Sequence, residues 1–487
     1  MTDEILNGKP DAGNPHVRFD EGDVAPTAKP RRGSLLYKKV VSIAVLSCFL
    51  SAFAGAEVQE FPIYCWTYMR FEEQTRPAEQ IVKDWKDLGI THPLMPGVNG
   101  KTDKAAVRHM LDLCHAAGLH AIMTDDRVDN AAIFRLIKTR DVETYRKGVR
   151  EALADWGSHP GVGGFYMFDE PVSNHTDGVC AAARVCREED PSKIWYVNLL
   201  PWYDWIGPSI GSAAYAPYLD MVAEKSKLPM LSYDCYSQQN EVNYAQSGVN
   251  VYFENLREWM EVTLRRPGFS YTVTQVCVPH HNNRLDSIDD FRWQINTAAA
   301  MGAKGINWFY PDMSSKVQGI GENYREAPIN VFGERTQAYQ WMSTELRIFQ
   351  REYGSEFMRL QIESAWMTGA TYGGVKAFAK GCDPDVWGVS SADPVLVSFF
   401  HDAEGVRYMA AVNLSRRTSR HVHYVFNPDV KPQRRLFTQK YEPLRTATDA
   451  VGARTAGERA PNHAANFLAP GQMLLVKLVK ETKKEAK

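Results

Sequence analysis

The sequence predicts an α/β protein, a (β/α)8 TIM barrel followed by a C-terminal all-β sandwich. Three observations carry this expectation. Between Phe61 and about Gly354, eight apolar, β-rich runs alternate with amphipathic helical periods. Strands separated by helices pair in parallel, and eight such units close into a barrel of about 250 residues, although an open doubly wound sheet would give the same alternation. After Gly354 the helical periods stop and short β runs follow one another, as in a sandwich. The composition suits such a globule: 487 residues, 44% hydrophobic and 11% aromatic, with 12 Trp and 22 Tyr.

The eight runs are Phe61–Met69, Thr91–Met95, Leu119–Thr124, Gly163–Phe168, Ile194–Leu200, Met230–Tyr236, Ser270–Val278 and Gly305–Tyr310. Between them, apolar residues recur every three to four positions, the spacing of a helix with one buried face. Ile81, Trp85 and Leu88 form one such set, and Val107, Met110, Leu111 and Cys114 another. Val142, Tyr145, Val149 and Leu153 form a third, Leu256, Met260 and Leu264 a fourth, and Phe291 with Ile295 a fifth. Gly118 is placed to end the second helix, and Ser287 with Asp290 to cap the seventh. In the second domain, Pro394–Phe400 and Arg407–Leu414 flank Asp402-Ala403-Glu404-Gly405, a hairpin signal. His421–Phe426, Arg435–Tyr441 and Met473–Val479 are expected as further strands.

The N-terminal segment has a different character. Residues 1–34 are rich in Pro, Gly and charge with no apolar period, so they read as a disordered polar leader. Lys38 and Lys39 then precede the apolar run Val40–Ala56, which ends in Ala54-Gly55-Ala56, the order of an export signal. The expected organisation is therefore leader 1–34, signal 35–56, barrel 57–354, sandwich 355–480 and charged tail 481–487. Arg31-Arg32 resembles a twin-arginine signal, with Ser34 where that pattern prefers Phe. An uncleaved anchor, or a lipoprotein lipidated at Cys48, is the alternative to cleavage and export, and the run would span a bilayer only marginally. After signal removal no stable membrane insertion is expected. Lys+Arg 56 against Asp+Glu 58 leaves no electrostatic footprint for nucleic acid. Seven cysteines follow the signal, without a C-x-x-C pair, so one disulfide is conceivable and a framework is not. Cys65, Cys235 and Cys277 lie in apolar stretches and read as small buried hydrophobes.

In a parallel barrel the loops after the strands carry the site. The fourth run ends Gly163-Gly164-Phe165-Tyr166-Met167-Phe168-Asp169-Glu170-Pro171. A Glu170 walled by Tyr166 and Phe168 would have its proton affinity raised by desolvation and could act as a general acid. The plainer reading is that Asp169 or Glu170 caps a helix or pairs with an arginine. Asp234 ends the sixth run among Tyr233 and Tyr236 and is the candidate second carboxylate; Asp125 and Asp126 end the third. Each of these could equally be a barrel-top hydrogen-bonding residue. Trp66, Tyr68, Trp202, Tyr203, Trp205, Tyr236, Trp308 and Tyr310 crowd the same strand ends, an aromatic rim suited to the C–H faces of sugar rings or to simple space filling. His280-His281 could hydrogen-bond a substrate, but adjacent histidines point to different sides of an extended chain and do not chelate a metal together. Without a Walker loop, GxGxxG or H-E-x-x-H, no cofactor and no metal are expected, and the expected partner is a carbohydrate. Nothing in the sequence sets an oligomeric state.

With a Glu ending the fourth of eight β/α units, the chain resembles the clan-A glycoside hydrolases. Ala327–Tyr339, followed by an amphipathic helix ending near Phe349, is similar to the close of the family 42 β-galactosidase-like barrel, whose members also append β domains. The resemblance implies a retaining glycosidase with Glu170 as acid/base and a nucleophilic Glu on the seventh strand. Two departures stand out. Asp169 replaces the Asn that usually precedes the acid/base, so its contact with a sugar hydroxyl is an inference from position. The seventh run, Tyr271-Thr272-Val273-Thr274-Gln275-Val276-Cys277-Val278-Pro279, has no carboxylate, and Gln275 stands about where the nucleophile would be. Three readings follow: an exported glycoside hydrolase with Glu170 as proton donor, an inverting variant with Asp234 activating water, or a non-catalytic carbohydrate-binding relative. If the strand count holds, Glu170, Asp234, Gln275 and Trp308 converge on one mouth.

Overall fold

Eight parallel strands form one sheet: β1 (Ile63–Cys65), β2 (His92–Pro93), β3 (Ala121–Met123), β4 (Val162–Asp169), β5 (Ile194–Leu199), β6 (Met230–Asp234), β7 (Ser270–Val276) and β8 (Ile306–Phe309). The computed structural model describes residues 60–67, 69–238, 248–279, 284–314, 327–448 and 461–480, all within the unit Val58–Lys487. The leader 1–34, the signal 35–56, the tail 481–487, Tyr68, His280 and His281 lie outside the described residues. The strand order is β2-β1-β8-β7-β6-β5-β4-β3. A parallel bridge from Leu94 to Ile122 spans β2 and β3, with Met95 N–H donating to Ile122 O at 2.8 Å and His120 N–H to Thr91 O at 2.8 Å. These bonds draw the ring together, which sets a barrel apart from an open doubly wound sheet.

Pleating sorts the side chains into two layers. Phe165, Tyr233, Val273 and Trp308 face outward into the core beneath the helices, while Tyr64, Tyr166, Tyr196 and Phe309 face inward and fill the lumen. The helices end where local chemistry stops them. Gly118, at φ 71°, follows the helix Lys104–Ala116, and Ser287 with Asp290 forms a reciprocal capping box on Ile288–Ala300.

The last described helix ends at Arg359, and ten strands follow. A six-stranded sheet has the order β15-β14-β18-β12-β11-β9 and a four-stranded sheet the order β10-β13-β17-β16. Their strands are β9 (Gln361–Thr368), β10 (Val386–Ser390), β11 (Val395–His401), β12 (Arg407–Asn413), β13 (Arg420–Phe426), β14 (Val430–Arg435), β15 (Tyr441–Pro443), β16 (Ala447–Thr448), β17 (Asn462–Leu468) and β18 (Met473–Lys480). Val397 and Phe399 of the larger sheet share a core with Val422, Tyr424 and Phe426 of the smaller. The expected strand Arg435–Tyr441 is instead a hairpin. Arg435 ends β14, Leu436 N–H donates to Lys440 O at 2.9 Å, and Gln439 takes a φ of 65°. All seven cysteines after the signal are free, six of them buried, so the conceivable disulfide does not form.

The sandwich is tied to the barrel through Ile288–Ala300. Trp293 Nε1 donates to Leu414 O at 3.0 Å and Asn296 Nδ2 to Gly471 O at 2.9 Å. Gly471 fits so closely that a Cβ there would stand 2.6 Å from the Trp293 backbone. Replacing the buried Trp293 by Ala is expected to cost about 3–5 kcal/mol. In urea unfolding followed by circular dichroism, the midpoint should fall with barrel and sandwich still melting in one transition. A second, unshifted transition would show that the two parts are independent.

Candidate active site

Strand β4 delivers its carboxylates through two departures from regular geometry. Phe165 faces out and Tyr166 in, so strict alternation would turn Asp169 outward. Instead the pairing with β5 skips Met167, with Tyr166 opposite Tyr196 and Phe168 opposite Val197. This bulge leaves Met167 and Phe168 both in the outer core and turns Asp169 into the lumen. Glu170 then adopts φ 48°, in the left-handed region, a strained position for a non-glycine residue worth about 1–3 kcal/mol. Its N–H donates to Asn198 O at 2.8 Å, which holds the kink. Two adjacent carboxyl groups thereby reach the same mouth.

Below them runs a chain of hydrogen bonds with one direction. Asn307 Nδ2 donates to the Tyr196 hydroxyl at 2.9 Å, so that hydroxyl donates onward to Ser232 Oγ at 2.7 Å. Ser232 Oγ donates to Asn198 Oδ1 at 3.0 Å, and Thr274 Oγ1 donates to the same oxygen at 3.3 Å. With its oxygen occupied, Asn198 presents its amide hydrogens upward, donating to Asp169 Oδ1 and Asp234 Oδ1 at 3.0 Å each. The polarity of the chain assigns the amide orientation.

Asp234 is buried and hydrogen-bonded to Glu170, whose surface remains open to solvent. Two carboxyl groups bond only if a proton lies between them. Burial raises the proton affinity of Glu170, and the bond from Asp234 opposes that rise. Asp234 is pushed well above the carboxylate range, first by burial and then by the charges of Glu170 and Asp169. Asp169 is pushed up to about 7, by burial and then by Glu170, against the bond from Asn198. Glu170 and Asp234 thus titrate as one pair that holds a proton more tightly than isolated carboxyls do.

A cleft of about 390 Å³ adjoins the cluster, lined by Trp66, Arg70, Asn99, Asp126, Tyr166 and Asp169 among others. Trp66 meets Tyr166 edge-on at 5.6 Å. Burial and the charge of Asp125 raise the proton affinity of Asp126. A larger cavity of about 730 Å³ lies between barrel and sandwich, lined by residues such as Gln238, Arg284 and Arg416, but contains none of the three clustered carboxyls. Among the described residues, no group of three or more His, Cys, Asp or Glu is arranged to hold a metal ion.

Several expected site residues stand elsewhere. Trp308 is fully buried and packs outward on Phe291 at 5.7 Å, because Asn307 and Phe309 occupy the inward positions of β8. Gln275 shares the outward parity of Val273 and is also fully buried, donating to Cys235 O at 2.6 Å and accepting from Ser237 Oγ at 3.0 Å. The expected four-residue convergence therefore reduces to Glu170 and Asp234. Asp125 is buried in a bidentate pair with Arg127, at 2.9 and 2.7 Å, and accepts from Trp156 Nε1, so Asp126 is the residue of that pair that reaches the cleft. Trp202 stacks on Tyr215 against the outer core, and Tyr310 is wholly buried in the lumen. Tyr236 packs on Phe309 at 5.7 Å, half-buried beside the lumen cluster. Sequence reasoning missed Asn198, Tyr196, Ser232 and Asn307, although polar residues at alternate positions of otherwise apolar strands were a usable signal.

No protein-family model and no curated protein matches the chain. Solved structures share its fold. The β-galactosidase from Bacillus circulans sp. alkalophilus superposes with a TM-score of 0.52 at 9% identity, over 86% of this chain and 99% of that one. A glycoside hydrolase family 5 protein from Bacteroides vulgatus gives 0.51 at 12%, over 88% and 91%. With the β-galactosidase from the psychrophilic Marinomonas ef1 the match covers 61% of this chain and spans 62% of the other's length, at 12% identity and a TM-score of 0.46. At these identities the likeness is one of fold, a barrel shared with glycoside hydrolases, and it does not select family 42.

The folded protein retains the Asp169 proton up to about pH 7, whereas an unfolded aspartate releases it near 4. The stability this proton contributes is present in acid and is lost as pH rises through that window. Asp169→Asn should therefore raise the melting temperature at pH 8 by roughly 2–4 °C, with a smaller gain at pH 5. Parallel melting curves for variant and wild type would contradict the placement of this carboxyl.

Proposed function

We propose that the protein is an exported glycoside hydrolase in which Glu170 donates the proton and Asp234 is the second carboxylate. The observation that carries this reading is the proton-sharing contact of Glu170 with Asp234 at the mouth of a (β/α)8 barrel. With the shared proton on Glu170, the pair is an acid facing an anion. Glu170 then protonates the glycosidic oxygen as the C–O bond breaks, and Asp234 bonds to the anomeric carbon. Water next attacks that carbon, giving its proton to Glu170 and releasing Asp234. A pair that shares a proton is nearer to the about 5–5.5 Å spacing of retaining carboxyls than to the about 6.5–9.5 Å that leaves room for an activated water, and a bound sugar must part it slightly to reach the retaining geometry. Asp169, Asp126 and Arg70 line the cleft as hydrogen-bonding partners for sugar hydroxyls, beside the aromatic wall of Trp66 and Tyr166. The likeness of Ala327–Tyr339 to the close of family 42 barrels supports kinship with that group. Export rests on Lys38-Lys39 and the apolar run Val40–Ala56.

One observation favours a second reading, a non-catalytic carbohydrate-binding relative: β7 carries no carboxylate. Activity measured across a glycan library with wild type and Glu170→Gln separates the two. Loss of the transferable proton should reduce kcat by about 10²–10⁴-fold on natural glycans, and by less on aryl glycosides with activated leaving groups. Proton NMR of the first-formed product should show the anomeric configuration retained. Glycan binding without turnover by the wild type would favour the second reading. Unchanged activity in a folded Glu170→Gln variant would make Glu170 a structural carboxylate.

A further inference from the structure

The loop after β5 carries an aromatic feature that the proton-transfer scheme leaves unused. Its base is fixed: Trp202 N–H donates to Asn255 Oδ1 at 2.7 Å, and Asn255 Nδ2 donates back to Trp202 O at 3.0 Å. Tyr215 adds a hydroxyl bond to Leu200 O at 2.8 Å. Ile206 N–H then donates to Tyr203 O at 2.9 Å, closing a turn with Asp204 and Trp205 at its centre. Within that turn the rings of Tyr203 and Trp205 lie 5.5 Å apart with an interplanar angle of 3°. Trp205 is 69% exposed. A lone exposed apolar residue is ordinary. An indole held flat on a tyrosine by a loop pinned at both ends is a prepared surface, since binding to it orders no further side chain.

Its place relative to the carboxyl cluster gives that surface a purpose. Tyr203 lies five residues beyond Asn198, which bonds both Asp169 and Asp234. Burial raises the proton affinity of the Tyr203 hydroxyl, and its nearness to Cys235, Asp234 and Glu170 adds to it, as expected for a neighbour of the pair. The cleft of Trp66, Arg70, Asp126 and Tyr166 is built from the loops of β1 to β4, and the stack comes from the loop of β5. We propose that the Tyr203–Trp205 stack is the platform for a second sugar ring beside the one held at the carboxyl pair, so that the substrate is an oligosaccharide that bridges cleft and platform. This inference rests on the glycosidase reading and extends it. A pyranose ring offers axial C–H groups to the flat indole, while Asp204 at the edge of the turn accepts from its hydroxyls.

The test uses the full chain in a Glu170→Gln background, so that ligands persist. An array of unmodified di- to hexasaccharides identifies the tightest binder, whose affinity is then measured by titration calorimetry beside that of its parent monosaccharide. Trp205→Ala should weaken the oligosaccharide by about 5- to 10-fold, the magnitude of one aromatic contact, and leave the monosaccharide unchanged. Trp205→Phe should retain most of the affinity. An equal loss for both ligands, or no loss for either, would overturn the platform while the glycosidase reading stands. If no oligosaccharide binds the Glu170→Gln chain and the wild type turns none over, the glycosidase reading fails and the platform falls with it. Melting temperatures of both Trp205 variants, equal to the background's, verify the fold.

Discussion

One primary amide, that of Asn198, cannot turn over without losing four hydrogen bonds, and the mouth of the barrel is organised around that fixity. Its oxygen is occupied by Ser232 and Thr274, so its two hydrogens must face Asp169 and Asp234. Ser232 in turn is directed by Tyr196, and Tyr196 by Asn307, on the far side of the ring. Strands β4, β5, β6, β7 and β8 each contribute a member. The lumen is thus a packed, polarised column rather than a pore, and its donors all aim at the carboxyl groups above. Yet it supplies only one N–H to each of two buried carboxyls, too few to hold the cluster fully ionised. That shortage, together with burial, keeps a proton between Glu170 and Asp234.

The general architecture was legible in the sequence because its signals are local. Apolar runs, helical periods, the Ser287–Asp290 cap and Gly118 each depend on neighbours within a turn or two, and they stand where expected except that Val142 and Leu264, at helix ends, are exposed. Glu170, Asp169 and Asp234 were legible as carboxylates closing apolar strands. What was not legible was side-chain parity. Trp308 and Gln275 look like mouth residues from their place at a strand end, but the pleat turns both toward the helices. The bulge at Met167 reverses parity on β4, and nothing in Tyr166-Met167-Phe168 announces it. Asp125 and Asp126 are likewise separated by geometry: Arg127, two residues on, draws the first into a buried ion pair and leaves the second to the cleft. In the sandwich, a continuous polar-and-aromatic stretch from Arg435 to Tyr441 concealed a tight turn at Gln439.

These departures concentrate at one place. A left-handed glutamate, a bulged strand and three carboxyl groups with suppressed ionisation all gather around Asn198, whereas the outer core follows its pattern without exception at β6 and β7. Local rules broken together at one mouth are the pattern expected where stability is given up for reactivity. The apolar layer beneath the helices and the buried junction at Trp293 offset that loss.

The cysteines have a consequence of another kind. Burial raises the thiol pKa of Cys114 to about 12, of Cys180 to about 11 and of Cys186 to about 12, and pushes Cys65, Cys235 and Cys277 upward as well. Thiol–disulfide exchange begins with a thiolate that can be reached, and these six sulfurs offer neither the charge nor the access. Among the described residues no disulfide contributes to the fold, and these six sulfurs do not readily form one by accident. Among the described residues, the thiol chemistry open to an oxidant or to glutathione is therefore confined to one half-buried sulfur, that of Cys382, at the edge of the sandwich.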